Sequence, residues 1–122
     1  MKRKILNWVL VVIWMLVIFY FSNQPNLRSS LPNLWDLIFR KIAHILEFAV
    51  LTYFLIKAFR NYNISAKNIL FFSFIVSFFY AMSDEFHQTF IQGRCGAIKD
   101  VLIDTIGIIL CLTFYKNKGK DN

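Results

Sequence analysis

Cysteine is nearly absent: Cys95 and Cys111 are the only two in 122 residues. On a helix their separation amounts to about 24 Å, whereas a disulfide needs Cα atoms within about 7 Å. No internal bridge is expected, which excludes a disulfide-stapled fold. No C-x-x-C or H-E-x-x-H spacing occurs either. His44 and His87 together with the acids could coordinate a hard or borderline ion, but without such a spacing neither a metal nor a cofactor is expected. Glycine (four) and proline (two) are scarce, and acidic residues number seven against fourteen Lys and Arg. What the chain has in quantity is apolar surface, at 57% hydrophobic and 18% aromatic residues. One small soluble core could not bury so much. A soluble globular protein is therefore excluded, and an integral membrane protein is expected.

Four apolar runs, at 5–21, 41–59, 64–83 and 97–115, each approach the length of about 20 residues that a helix needs to cross the hydrocarbon. They predict an all-α membrane protein, a four-transmembrane-helix bundle in a single domain over 1–122. The basic start Met1-Lys2-Arg3-Lys4 resembles a signal peptide, but Ser22-Asn23-Gln24-Pro25 offers no small-x-small cleavage site. An uncleaved anchor is expected. Pro25 stops the first helix. Asn33 is an N-cap for the next, with Asp36 as the capping-box acid and the stretch to Arg40 an interfacial helical lead-in. Trp8 and Trp14 read as packing bulk, as does the Phe-rich stretch 71–80.

The +7 net charge would suggest nucleic acid in a soluble protein, but its distribution argues for topology instead. With the N-terminus inside, the inner ends carry Lys2, Arg3, Lys4, Lys57, Arg60, Lys67, Lys116, Lys118 and Lys120 against Asp121 alone. This is the positive-inside pattern, so both termini are expected to be cytoplasmic and no nucleic-acid partner is needed. The outer ends carry a nearly balanced mixture: Arg28, Arg40, Lys41, Arg94 and Lys99 with Asp36, Glu47, Asp84, Glu85, Asp100 and Asp104.

Several of these ionisable residues fall inside the spans. Lys41, His44 and Glu47 recur every three residues on one broad face, and Glu47 lies about 9 Å deeper than Lys41. The third span ends in Asp84, Glu85, His87 and Gln88. Asp84 and Gln88 share a face there, with Glu85 rotated by about 100°. Acids at a helix C-terminus oppose the macrodipole, which calls for a cationic partner, Lys41 or Arg94. In the fourth helix Asp100 and Asp104 are one turn apart, and Gly107 permits close helix approach. A charge inside the membrane costs about 2.5–3.5 kcal/mol at mid-bilayer, so such groups face the bundle interior. The set forms one layer near the outer surface, which favours a polar pocket there over a pathway through the membrane.

Phe21-Ser22-x-Gln24-Pro25, Lys41-x-x-His44-x-x-Glu47, Asp84-Glu85-x-His87-Gln88 with Gly93-Arg94, and Asp100-x-x-x-Asp104-x-x-Gly107 occur in this order. The chain thereby resembles the VanZ-like family of small bacterial membrane proteins over Phe21 to about Leu110. The resemblance implies a multi-pass protein of the bacterial cytoplasmic membrane and cell envelope. It also implies a link with teicoplanin-type glycopeptide antibiotic resistance, with which the founding member is associated. It implies no known reaction, but adds Ser22 and Gln24 to the site residues.

Two classes of function fit these residues. In the first, the outer pocket binds a membrane lipid or a lipid-linked cell-wall precursor, with Lys41 and Arg94 pairing to phosphate or carboxylate and Ser22, Gln24, Glu47, His87, Gln88, Asp100 and Asp104 completing it. In the second, an intramembrane enzyme uses Asp84 or Glu85 as general base and His44 as acid or nucleophile, with Arg94 and Lys41 stabilising charge. Oligomeric state has no signature in the sequence.

Overall fold

A computed structural model describes residues 2–22, 33–88 and 98–120, with side chains at 22, 33–37, 40, 88, 98–100 and 118–120 left out of that description. Four helices follow one another: α1 (Lys2–Ser22), α2 (Asn33–Phe59), α3 (Ala66–Gln88) and α4 (Ile98–Lys120). Backbone that lies in hydrocarbon must satisfy its own hydrogen bonds, and helices do so internally. None of the four described helices contains proline, and α1, α2 and α3 contain no glycine.

The lead-in from Asn33 and the second span form one continuous helix of 27 residues. The stretch Asp84–Gln88 belongs to the last turns of α3 rather than to the loop beyond it. Between α2 and α3 the chain reverses in six residues, 60–65. Ser65 then caps α3, its Oγ accepting from the Asn68 N–H at 3.2 Å.

α2 and α3 pack against each other and both touch α1 and α4, with α2–α4 the most extensive pairing. Among the described residues α1 and α4 do not meet, so they occupy opposite corners of the bundle. The core between them is aliphatic and aromatic: Ile18, Phe48, Leu51, Leu55, Ala81 and Ile108 are fully buried. Both tryptophans of α1 do more than fill space. Trp14 Nε1 donates to the Glu47 carbonyl at 2.8 Å, and Trp8 Nε1 to the Tyr62 hydroxyl at 2.9 Å. Tyr80 adds a hydrogen bond from α3 to the Met15 carbonyl. Outward, the helices present Leu16 and Phe19, Phe71 and Phe79, Leu102 and Phe114.

α1, α2 and α3 each contain a segment long and apolar enough to cross a membrane: Lys2–Phe21, Lys41–Phe59 and Ala66–His87. α4 matches them in length, at 23 residues, but Lys99, Asp100, Asp104, Thr105 and Lys116 make it more polar, and it is not among the three. Residues with opposite roles separate along the bundle. One end carries Lys2, Arg3, Lys4, Lys57, Arg60 and Lys67 and is called here the basic end; the other carries His44, Asp84, Glu85 and Asp104.

The α2–α4 pairing depends on Gly107. A methyl group placed there would fall within the contact radius of the Ile45 carbonyl oxygen, and neither partner is a side chain that could move aside. Alanine is the better helix former by about 1 kcal/mol, but overpacking costs about 1–3 kcal/mol and here acts on backbone. Gly107→Ala is therefore expected to lower stability in detergent unfolding by about 1–2 kcal/mol net, and Gly107→Val by more. An unchanged or raised stability of Gly107→Ala would remove the close crossing from the account.

Candidate functional site

The close crossing of α2 and α4 sets the position of the imidazole. Ile45, whose carbonyl abuts Gly107, follows His44, and Asp104 precedes Gly107 by one turn on α4. His44 Nδ1 consequently lies 3.1 Å from Asp104 Oδ1 and 4.0 Å from Glu47 Oε2. The ring nitrogen and the Asp104 carboxylate thus form a close polar contact between α2 and α4. α3 supplies the remaining members. One ligating atom each of His44, Asp84, Glu85 and Asp104 lie within 4.8 Å of one another, drawn from three helices.

The cluster has a floor and a rim. Asp104 is 0% exposed, Asp84 5% and Glu85 4%, whereas the His44 and Glu47 side chains keep 20% and 19%. Lys41, one turn toward the α2 N-terminus, is half-buried. Glu85 shares the floor with Asp84 although helical spacing rotates it by about 100°. The reason is that α3 is packed on more than one side, so adjacent faces of its last turns are both covered. His87 stands apart from the four, its ring 4.7 Å from that of Phe19 on α1.

Gln24, Arg94 and Cys95 lie outside the described residues. Ser22, Gln88 and Asp100 fall within α1, α3 and α4, but their side chains are likewise outside that description. Cys111 is a free, half-buried thiol.

One imidazole and three carboxylates form a donor set that fits a divalent ion. Bonds of about 2.0–2.2 Å set tetrahedral ligand atoms about 3.4 Å apart, so the most widely spaced of the four would close by about 1.4 Å. Local spacing shows nothing of this, because each helix contributes one or two donors and only the packing joins them. A second buried polar group also escaped the pattern of ionisable residues. Thr52 Oγ1 donates to the Phe48 carbonyl at 2.7 Å and lies 3.0 Å from Ser77 Oγ, both residues fully buried. Its only trace in the sequence is a hydroxyl in each of two apolar runs, which lipid-facing positions also carry.

A helical membrane protein with a buried imidazole–carboxylate cluster at one end is the class that fold and site define. The chain belongs to the VanZ/LLP1 family, whose profile matches residues 7–118. This agrees with the resemblance carried by its four motifs. It is also similar to the uncharacterized membrane protein YwnJ of Bacillus subtilis (strain 168), 32% identical over 111 residues, which cover 86% of this chain and 73% of that protein. No solved structure matches it.

Removing one partner of a buried ion pair leaves the other uncompensated, at about 3–5 kcal/mol, while replacing both by apolar groups is often neutral. His44→Leu and Asp104→Leu are each expected to destabilise the protein by about that amount. The double variant is expected to lose clearly less than the sum. Strict additivity in thermal or denaturant unfolding would mean that the two side chains do not interact.

Proposed function

We propose that the protein spans the membrane four times with both termini cytoplasmic, and that its His44 cluster forms a charged site at the extracytoplasmic side that binds a lipid or lipid-linked cell-wall precursor. The concentration of Lys and Arg at the opposite end supports this orientation. The observation that carries the functional reading is the convergence of His44, Asp84, Glu85 and Asp104 from three helices beside a partly exposed rim. Buried carboxylates repel a bare anion, so a phosphate-bearing head group would be met at the rim. Lys41 and Arg94 would pair with it, and Ser22, Gln24, His87, Gln88 and Asp100 would complete the site. A divalent ion on the floor would extend the same attraction inward. A chain that holds lipid-linked wall precursors in this way would act where teicoplanin-type antibiotics act, which gives the link with resistance a physical basis.

The second reading, an intramembrane acid/base enzyme acting on such a lipid, is favoured by one specific contact. Asp104 lies against the His44 ring nitrogen while Asp84 and Glu85 stand beside it. A carboxylate that orients an imidazole next to further acids is the material of general acid–base catalysis. In that reading Asp84 or Glu85 is the base, His44 the acid or nucleophile, and Lys41 and Arg94 stabilise developing charge.

Native mass spectrometry of the purified chain with a polyprenyl-diphosphate-linked wall precursor separates the readings. Binding alone is supported if Lys41→Gln with Arg94→Gln lowers retention by about tenfold or more and the wild type releases no altered lipid. The enzyme reading is supported if the wild type converts the lipid and Asp84→Asn or Glu85→Gln binds it without conversion. Equal retention by wild type and the Lys41/Arg94 variant, with no conversion, would overturn both. A strain that lacks the gene is expected to regain any lost teicoplanin tolerance with the wild-type copy but not with the Lys41/Arg94 variant, as read from inhibitory concentrations.

A further inference from the structure

Each member of the His44 cluster has the chemistry of a metal ligand, and the four come from three helices. His44 offers an imidazole nitrogen, and Asp84, Glu85 and Asp104 offer carboxylate oxygens, one atom of each within 4.8 Å of the others. The three acids are buried, so the set is no hydrated patch of surface carboxylates. Gathering them inside an apolar bundle brings like charges together where the surroundings screen them poorly. One imidazolium compensates a single carboxylate. A doubly charged ion compensates two and accepts a lone pair from every member of the set.

The spacing bears on the kind of ion. Six ligand atoms with bonds of about 2.1–2.2 Å stand about 3.0–3.1 Å apart when neighbouring and about 4.2–4.4 Å apart when opposite. His44 Nδ1 and Asp104 Oδ1, at 3.1 Å, have the first separation. The 4.8 Å limit for the whole set lies close to the second. A four-coordinate ion, with its ligand atoms about 3.4 Å apart, demands a larger contraction. Four protein donors leave two positions of a six-coordinate ion open, and the partly exposed rim at His44 and Glu47 gives water or a phosphate oxygen a way to them. Donor type narrows the choice further. Carboxylates alone suit Mg²⁺ and Ca²⁺, whereas an imidazole among them favours a first-row transition metal.

We propose that His44, Asp84, Glu85 and Asp104 hold one divalent first-row transition-metal ion of the Mn²⁺ kind, six-coordinate, with its two open positions at the rim. The ion would place positive charge on a floor of carboxylates, where a phosphate-bearing head group otherwise meets repulsion. What the open positions take up rests on the head-group reading of this site; the ion itself does not.

The full chain, free of any affinity tag and carrying His87→Gln so that His44 is its one histidine, is purified in neutral detergent, stripped with a chelator and titrated with Mn²⁺ in the absence of lipid. Electron paramagnetic resonance is expected to show one bound Mn²⁺ per chain, and its pulsed form a coupling to an imidazole nitrogen. Zn²⁺, which binds nitrogen and oxygen donors more tightly than Mn²⁺, is expected to displace it, and a large excess of Mg²⁺ is not. Asp104→Asn and Glu85→Gln, close in shape to the native residues, are each expected to weaken binding by about a hundredfold or more, because even an outer partner of a metal ligand is worth about 10–100-fold. Asp121→Asn, outside the cluster, is expected to leave it intact. Mn²⁺ is also expected to raise the unfolding temperature of the chain, reversibly by chelator, and not that of Asp104→Asn. Circular dichroism checks that each variant keeps its helices, and the nitrogen coupling is read with the cluster intact, so it decides even where a variant fails to fold. Absence of stoichiometric binding would overturn the proposal and leave the cluster a structural network. Binding without nitrogen coupling, or equal affinity in wild type and a folded Asp104→Asn, would mean an adventitious ion only and overturn it as well. Because no lipid is present, a failure here leaves retention of the wall precursor by Lys41 and Arg94 untouched, and a chain that binds Mn²⁺ but retains no precursor loses the head-group reading alone.

Discussion

The contact of His44 with Asp104 is the interaction on which the rest of this structure turns. Three carboxylates, Asp84, Glu85 and Asp104, are almost wholly removed from solvent in a bundle whose outer face is apolar. Such groups have no water to lean on and must find compensation within the protein. The imidazole of α2 supplies part of it at 3.1 Å from Asp104. That distance is possible only because Gly107 brings the α4 backbone against the Ile45 carbonyl. A small residue, a backbone contact and a polar cluster thus form one chain of cause.

α2 is the element that ties this arrangement together. It is the longest helix, touches all three others, and places His44 and Glu47 toward the cluster and Thr52 toward Ser77. Trp14 on α1 reaches the Glu47 carbonyl, so the helix with no member in the cluster still braces the one that has. The hydroxyl pair lies about 12 Å along α2 from His44, and it gives the middle of the bundle polar specificity without charge. The two ends of the molecule then differ in kind. One gathers buried acids around a ring, and the other gathers cations around an open pocket.

Much of this was legible in the sequence, and the remainder was hidden for identifiable reasons. Run length marked four helices. Spacing put Lys41, His44 and Glu47 on one face, and Gly107 one turn beyond Asp104 signalled a close crossing. The resemblance of the four motifs to the VanZ-like family agrees with the family match. Glu85 was harder to place, because periodicity rotates it away from Asp84 and only the packing of α3 on several sides covers both faces. Depth along the spans put the four donors in one expected polar layer, but no local motif signalled that an atom of each would lie within 4.8 Å of the others. The indole donors of Trp8 and Trp14 looked like bulk because periodicity assigns a face but not a hydrogen-bond partner. Thr52 and Ser77 looked like ordinary hydroxyls in apolar runs for the same reason. α4 matched the other runs in length, while its polar first turns set it apart from the three most apolar helices.

The central claim is that side chains from α2, α3 and α4 share one site in the membrane. Solid-state NMR in lipid bilayers reads it directly, through dipolar dephasing between ¹⁵N in the histidine ring and ¹³C in the aspartate and glutamate carboxylates. A His87→Gln background leaves His44 as the one ring observed. The account predicts strong dephasing from the Asp104 carboxylate, as its 3.1 Å contact requires, with additional coupling that falls when Asp84 or Glu85 is replaced. A His44 ring that shows no dephasing from any carboxylate would contradict it.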